Sequence, residues 1–239
     1  MYGALLNALN AARAKRDAVA VVTDLAMGEK RLLTRVDAMS DPLADAIGAR
    51  FLSGKSGVVT HNDAEHFVQV YVPPARFVII GAVHISQALA PMARACDFDV
   101  TIIDPRTAFA TEDRFDGTVL HAEWPEQILK DQPLDAYTAL VAVTHDPKID
   151  DLPLQAALEA ECFYVGALGS RKTHAKRLDR LHGNGLSVEQ TDRIAAPIGL
   201  DIGAATPSEI AVAVLAQAIE ARRRPDTKKP VVITETAAA

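Results

Sequence analysis

From Arg76 onward the chain alternates short runs of β-branched and apolar residues with stretches of helical periodicity, and this alternation restricts the fold more than any other feature. RFVIIGA, DVTIID, TVLHA, ALVAVTH and CFYVGAL are too uniformly apolar for half-exposed strands, so each reads as a strand covered on both faces. Between them, ISQALAPMARAC, PEQILKD and LPLQAALEAE read as helices. Strands and helices in succession form crossover units, which pack as a parallel sheet with helices on its faces. The expected fold class is α/β, a Rossmann-like doubly wound parallel sheet.

Upstream the rhythm differs. Residues 2 to 15 read as a helix, DAVAVVTDLA and KRLLTRV as strands around a Met27-Gly28-Glu29 turn, residues 42 to 52 as a second helix, and GVVT with HFVQVYV as a further strand pair. Pro73-Pro74 ends this unit, because two consecutive prolines cannot continue a sheet ladder. The expected division is a small amino-terminal α+β domain over 1–73, the Rossmann-like domain over 74–224 and a flexible tail over 225–239. Before the last long helix, Thr206 suits the N-cap, Pro207 the first helical position and Glu209 the reciprocal capping position.

Acidic residues outnumber basic ones by 31 to 25, a formal net charge of -6, so no overall field draws the chain to nucleic acid or anionic lipid. The apolar runs are too short to cross a bilayer and the first residues lack a secretory layout, so a cytoplasmic location and a small-molecule or protein partner are expected. Cys96 and Cys162, with no further cysteine to form a thiolate cluster, are expected as buried small hydrophobes.

Five segments carry candidate chemistry. In the first βα turn, Gly81 matches the leading glycine of G-x-G-x-x-G, but Val83 and Ser86 replace the other two, placing a branched side chain where a pyrophosphate would approach. The helix N-terminus behind it still offers N–H groups, and His84 and Ser86 add donors, so an anion site and a plain packed turn both fit. Asp104 closes the second strand where Rossmann folds hold a ribose hydroxyl, and Arg106 either helps to hold a phosphate or pairs with Asp104. Thr144, His145 and Asp146 end the fourth strand at the carboxyl edge of the sheet, where ligands of open α/β folds bind; Asp150 and Asp151 follow, but one histidine with acids is too weak a signal to assign a metal. Gly169, Ser170, Arg171, Lys172 and Thr173 read as the strongest anion cradle or as part of a basic, solvated helix face, opening a helix that carries His174, Lys176, Arg177 and Arg180. Asp201 and Gly203 lie in an apolar glycine-bearing loop that either approaches a ligand ring or packs as an internal lid.

VAVTHDP, YVGALGSRKTHAKRL and APIGLDIGAATPSEIAVAVLAQ, in that order, closely resemble the carboxyl-terminal domain of the XdhC/CoxI family, the maturation factors of xanthine and carbon monoxide dehydrogenases, over about Pro73 to Arg223. The resemblance implies a non-catalytic accessory protein that binds molybdenum cofactor (molybdopterin), supports its sulfuration with a cysteine desulfurase and delivers it to an apo molybdenum hydroxylase; a homodimer is left open. On this reading residues 81–86, 104–106 and 169–173 supply phosphate contacts and the 199–203 loop contacts the pterin. Two departures stand out: the family's G-A-G-H turn is Gly81-Ala82-Val83-His84 here, and no cysteine precedes Cys96 where the family carries S-G-G-C. A shortened member working beside a fuller paralogue fits both. The competing expectation is an NAD(P)-dependent oxidoreductase with an atypical Rossmann turn, supported by the strand-helix rhythm and Asp104.

Overall fold

The computed structural model describes residues 2–224, and the tail assigned to 225–239 lies outside the described residues. In the first unit, Met1–Pro74, helix α1 (Tyr2–Ala14) is followed by strands β1 (Val19–Asp24) and β2 (Lys30–Thr34), helices α2 (Arg35–Ala38) and α3 (Ala44–Ser53), and strands β3 (Gly57–His61) and β4 (Ala64–Tyr71). The strands form one antiparallel sheet in the order β2-β1-β4-β3. Its second strand stops at Thr34, two residues before the end of KRLLTRV. The Thr34 hydroxyl accepts the Asp37 N–H while the Asp37 carboxylate accepts the Thr34 N–H, a reciprocal cap that starts α2 instead.

The second unit, Ala75–Ala239, contains β5 (Arg76–Ile80), α4 (His84–Ala95), β6 (Asp99–Ile103), β7 (Val119–His121), α5 (Pro125–Asp131), β8 (Thr138–Ala142), α6 (Pro147–Glu159), β9 (Tyr164–Ala167), α7 (Arg171–Gly183), α8 (Val188–Thr191), β10 (Ile194–Ala195) and α9 (Pro207–Arg223). All neighbouring strands pair in parallel, in the order β10-β9-β8-β5-β6-β7. This is the Rossmann order, with the chain reversing its direction of travel between β5 and β8 and so opening a crevice at the carboxyl ends of those two strands. The sixth strand was not expected: β10 has only two residues, too few for a periodicity to register.

Successive strand residues face opposite sides of the sheet and fill two cores. Phe77, Ile79 and Val141 pack with Leu89 of α4 and Val214 of α9 on one side, and Phe77 meets Phe98 edge to face at 5.4 Å. Val78, Ile80 and Leu140 pack with Leu154 of α6 and Leu181 of α7 on the other. Each such side chain contributes ~1.5–3 kcal/mol by leaving water, which makes the sheet a firm base for the loops at its carboxyl edge. Thr206, Pro207 and Glu209 start α9 as expected, with both bonds of the capping box formed.

Two expectations are corrected. TVLHA, expected as a strand covered on both faces, forms the edge strand β7 beside β6, and its Val119 is 56% exposed. Cys162 is buried, and burial pushes its thiol up to about 12, but Cys96 is exposed because it caps the outer end of α4 after the last core-facing turn. Among the described residues no helix is long and apolar enough to cross a membrane.

Candidate functional site

The two turns flanking the switch point touch. Gly81, at φ 119°, follows β5 so closely that a Cβ there would lie 2.8 Å from Thr144 Cγ2, in the turn after β8. Only glycine combines that backbone with that approach.

The first turn is closed by its own neighbours. The carboxylate of Asp104, fully buried, accepts the Ala82 N–H at 2.7 Å and three donors from Arg106: the backbone N–H and Nε at 2.9 Å each and Nη2 at 2.7 Å. Burial opposes the charge, but these donors, the Arg106 guanidinium foremost, hold the carboxyl below the usual aspartate range. The strand-end ion pair is therefore formed, and Arg106 also lies 4.6 Å from the Phe109 ring centre. Ser86 is buried and its hydroxyl donates to the Gly81 carbonyl at 2.5 Å. Arg114, which the sequence did not single out, donates to the Ala82 carbonyl at 3.0 Å. Ser86, Asp104 and Arg106 thus hold the turn in shape, and the Ala82 amide is already engaged. His84 remains exposed at the start of α4.

The fourth-strand turn is organised around Asp150. Thr144 Oγ1 donates to Asp150 Oδ1 at 2.7 Å and accepts the Asp146 N–H at 3.0 Å; the His145 N–H donates to Asp150 Oδ2 at 3.1 Å. His145 itself adopts φ 65°, a left-handed conformation rare outside glycine, and this backbone stands at the rim of a cavity. Asp146 caps α6 by accepting the Lys148 N–H. Asp150 is 1% exposed, and burial pushes its carboxyl up to about 6 against the pull of its Thr144 bond.

Between the starts of α6 and α7 lies a cavity of about 290 Å³, bordered by His145, Asp150 and, from α7, Lys172, Thr173, Lys176 and Arg177. Ser170 caps α7 by accepting the Thr173 N–H at 3.3 Å, and Gly169 supplies the φ of 142° that brings the chain into the helix. On the far wall Asp151 is held through both oxygens by Arg180. Arg177 stands apart from these satisfied groups. It is 2% exposed, its Nη2 donates to the Leu168 carbonyl at 2.9 Å, and its Nε and Nη1 have no hydrogen-bond partner among the described residues. Burial lowers its pKa against the charges of Asp150 and Asp151. A concave cluster of cations with unused N–H groups can do one thing well, which is to hold an anion.

The structure thus brings His145, Lys172 and Thr173 together at one cavity; Gly169 and Ser170 shape the start of α7 without bordering it, and Thr144 binds Asp150 in its wall. Arg171 is exposed and does not border the cavity; neither do Asp201 and Gly203, which are exposed on the loop before α9. That loop is tied down instead through Gln217, whose Oε1 accepts the Gly199 N–H and the Tyr164 hydroxyl. Arg177 is the residue that the sequence reading counted only as part of a basic helix. Its spacing of four from Thr173, which places both on one helix face, was the available signal.

Residues 77–218 match the model of the XdhC Rossmann domain. The chain is 35% identical over 150 residues to the molybdenum cofactor insertion chaperone PaoD of Escherichia coli (strain K12), an alignment covering 63% of this chain and 41% of that protein. It is 31% identical over 159 residues to a probable xanthine dehydrogenase subunit of Bacillus subtilis (strain 168), covering 66% of this chain and 46% of the relative. The chain therefore spans less than half the length of these curated relatives. A crystal structure of a xanthine dehydrogenase from Bacillus halodurans superposes with a TM-score of 0.59 at 23% identity, over 91% of this chain and 64% of that one, a likeness of fold.

Proposed function

The chain belongs to the XdhC Rossmann-domain family, and on that premise we propose that it binds molybdenum cofactor and delivers it to an apo molybdenum hydroxylase of the xanthine or carbon monoxide dehydrogenase type, as an accessory protein rather than an enzyme. The observation that carries this reading is the cationic cavity at the carboxyl edge of the sheet, where His145, Lys172 and Thr173 meet beside a buried arginine with unused donors. Molybdopterin carries a phosphate, which such donors suit, and the relative named as a molybdenum cofactor insertion chaperone supports the choice of ligand. The first turn supports it from the other side: Val83 stands where the second glycine of a dinucleotide turn would be, and Asp104, engaged by Ala82 and Arg106, is not open to a ribose hydroxyl. A cysteine desulfurase that sulfurates the cofactor while it is held is a further partner under the same reading.

The test is transfer. Protein purified from a host that makes the cofactor is mixed with apo-hydroxylase, and recovered hydroxylase activity is followed against free cofactor alone. Delivery requires faster or more complete activation with the protein present; equal activation in both samples rejects it.

A further inference from the structure

A buried guanidinium normally has its N–H groups paired, because leaving one unpaired costs about as much as a lost hydrogen bond. Arg177 leaves Nε and Nη1 unpaired at 2% exposure, although Asp150 lies near enough for its charge to act on the arginine. Asp150 makes no hydrogen bond to it: its carboxylate is oriented instead by the Thr144 hydroxyl on one oxygen and the His145 N–H on the other. The arginine is held in turn by its bond to Leu168 at the end of β9. Both groups are therefore fixed by their own strand-end turns, and the donors between them are preorganised for a third party. Around this anchor, Lys172 and Lys176 stand exposed at the cavity mouth, and the capped start of α7 adds the positive end of a thirteen-residue helix.

From this we infer that Arg177 is the anchor for a phosphate group of the ligand, and that the phosphate seats between α6 and α7 and not on the first βα turn. The first turn is the weaker place for it, since its Ala82 N–H is spent on Asp104 and Val83 stands where the second glycine of a phosphate-binding turn would be. The identity of the whole ligand rests on the cofactor-carrier reading; the place and chemistry of the phosphate rest on the cavity.

The experiment uses inorganic pyrophosphate as the probe, titrated calorimetrically into the full chain. The wild type is expected to bind saturably. Arg177→Lys keeps the charge but loses the planar fork, and is expected to weaken binding by roughly 10-fold to 100-fold, the value of one or two charged hydrogen bonds. Lys172→Glu with Lys176→Glu, at exposed positions that folding does not depend on, is expected to abolish binding and covers the case in which the Arg177 variant does not fold. No saturable binding by the wild type, unchanged affinity in a folded Arg177→Lys protein, or retained affinity in the double glutamate variant each overturns the inference. None of these outcomes decides the carrier reading, which is read separately from pterin content.

Discussion

Arg177 and Asp150 are both buried, act on each other through their charges, and share no hydrogen bond. The pair is an interrupted ion pair, and its interruption is what leaves room for a ligand anion. It also makes the region sensitive to pH.

Burial pushes the Asp150 carboxyl from 3.8 to about 6 in the folded chain. A raised carboxyl means that the folded state holds its proton longer than the unfolded state does, so the associated stability is complete below pH ~4 and is lost as pH rises through about 6. The displacement corresponds to ~3 kcal/mol. In urea titrations from pH 4 to pH 7, the stability of the wild type relative to Asp150→Asn is therefore expected to fall by up to that amount and to level off above about pH 6. A pH-independent difference would show that Asp150 ionises as freely in the fold as in water.

Sulfate binding gives the functional counterpart, since sulfate stays a dianion across this range and contributes no titration of its own. His145 and His174 also border or lie near the cavity, as do Asp151 and Arg180, so the comparison is between variants. Wild-type affinity is expected to rise as pH falls through 6, when Asp150 loses its competing charge, and Asp150→Asn is expected to flatten a substantial part of that rise. Identical pH profiles would remove Asp150 from the account.

Gly81→Ala places a Cβ 2.8 Å from Thr144 Cγ2 at a backbone φ of 119°. The cost is expected at about 1–3 kcal/mol in denaturant unfolding, because both the contact and the conformation resist the new atom. A neutral result would mean that the two switch-point turns are not packed together.

Val83→Gly restores the second glycine of the dinucleotide pattern. No NAD(P) binding is expected to follow, because Asp104 still has both oxygens on Ala82 and Arg106 and has none free for a ribose hydroxyl. Saturable nicotinamide binding in that variant, followed by fluorescence or calorimetry, would favour the oxidoreductase alternative.

Much of the fold was legible because its signals are local. The apolar runs from Phe77 to Ala167 marked the parallel strands, all buried but the edge strand β7, and Thr206, Pro207 and Glu209 marked the start of α9 where it begins. Where three or four residues decide, the reading fell short: Thr34 and Asp37 turn the end of a strand into α2, and β10 is two residues long. The site was legible as a set of turns but not as a place. That His145 and Lys172 share a cavity follows from the adjacency of β8 and β9, whereas Asp201 sits on the loop after β10 and stays outside it. Nor does a sequence show occupancy. Asp104 and Arg106 have the residue types of a cofactor contact, and their mutual geometry shows both Asp104 oxygens taken up by Arg106 and the Ala82 N–H.

The most direct measurement is cofactor retention. Protein purified from a host that makes molybdenum cofactor is denatured and oxidised, its fluorescent pterin products are quantified, and the native protein is titrated in parallel with NAD(P). The account expects near-stoichiometric pterin in the wild type, a marked loss in Arg177→Lys, and no nicotinamide binding in either. Saturable NAD(P) binding with no pterin would contradict it and would make the chain a dinucleotide protein that tolerates Val83.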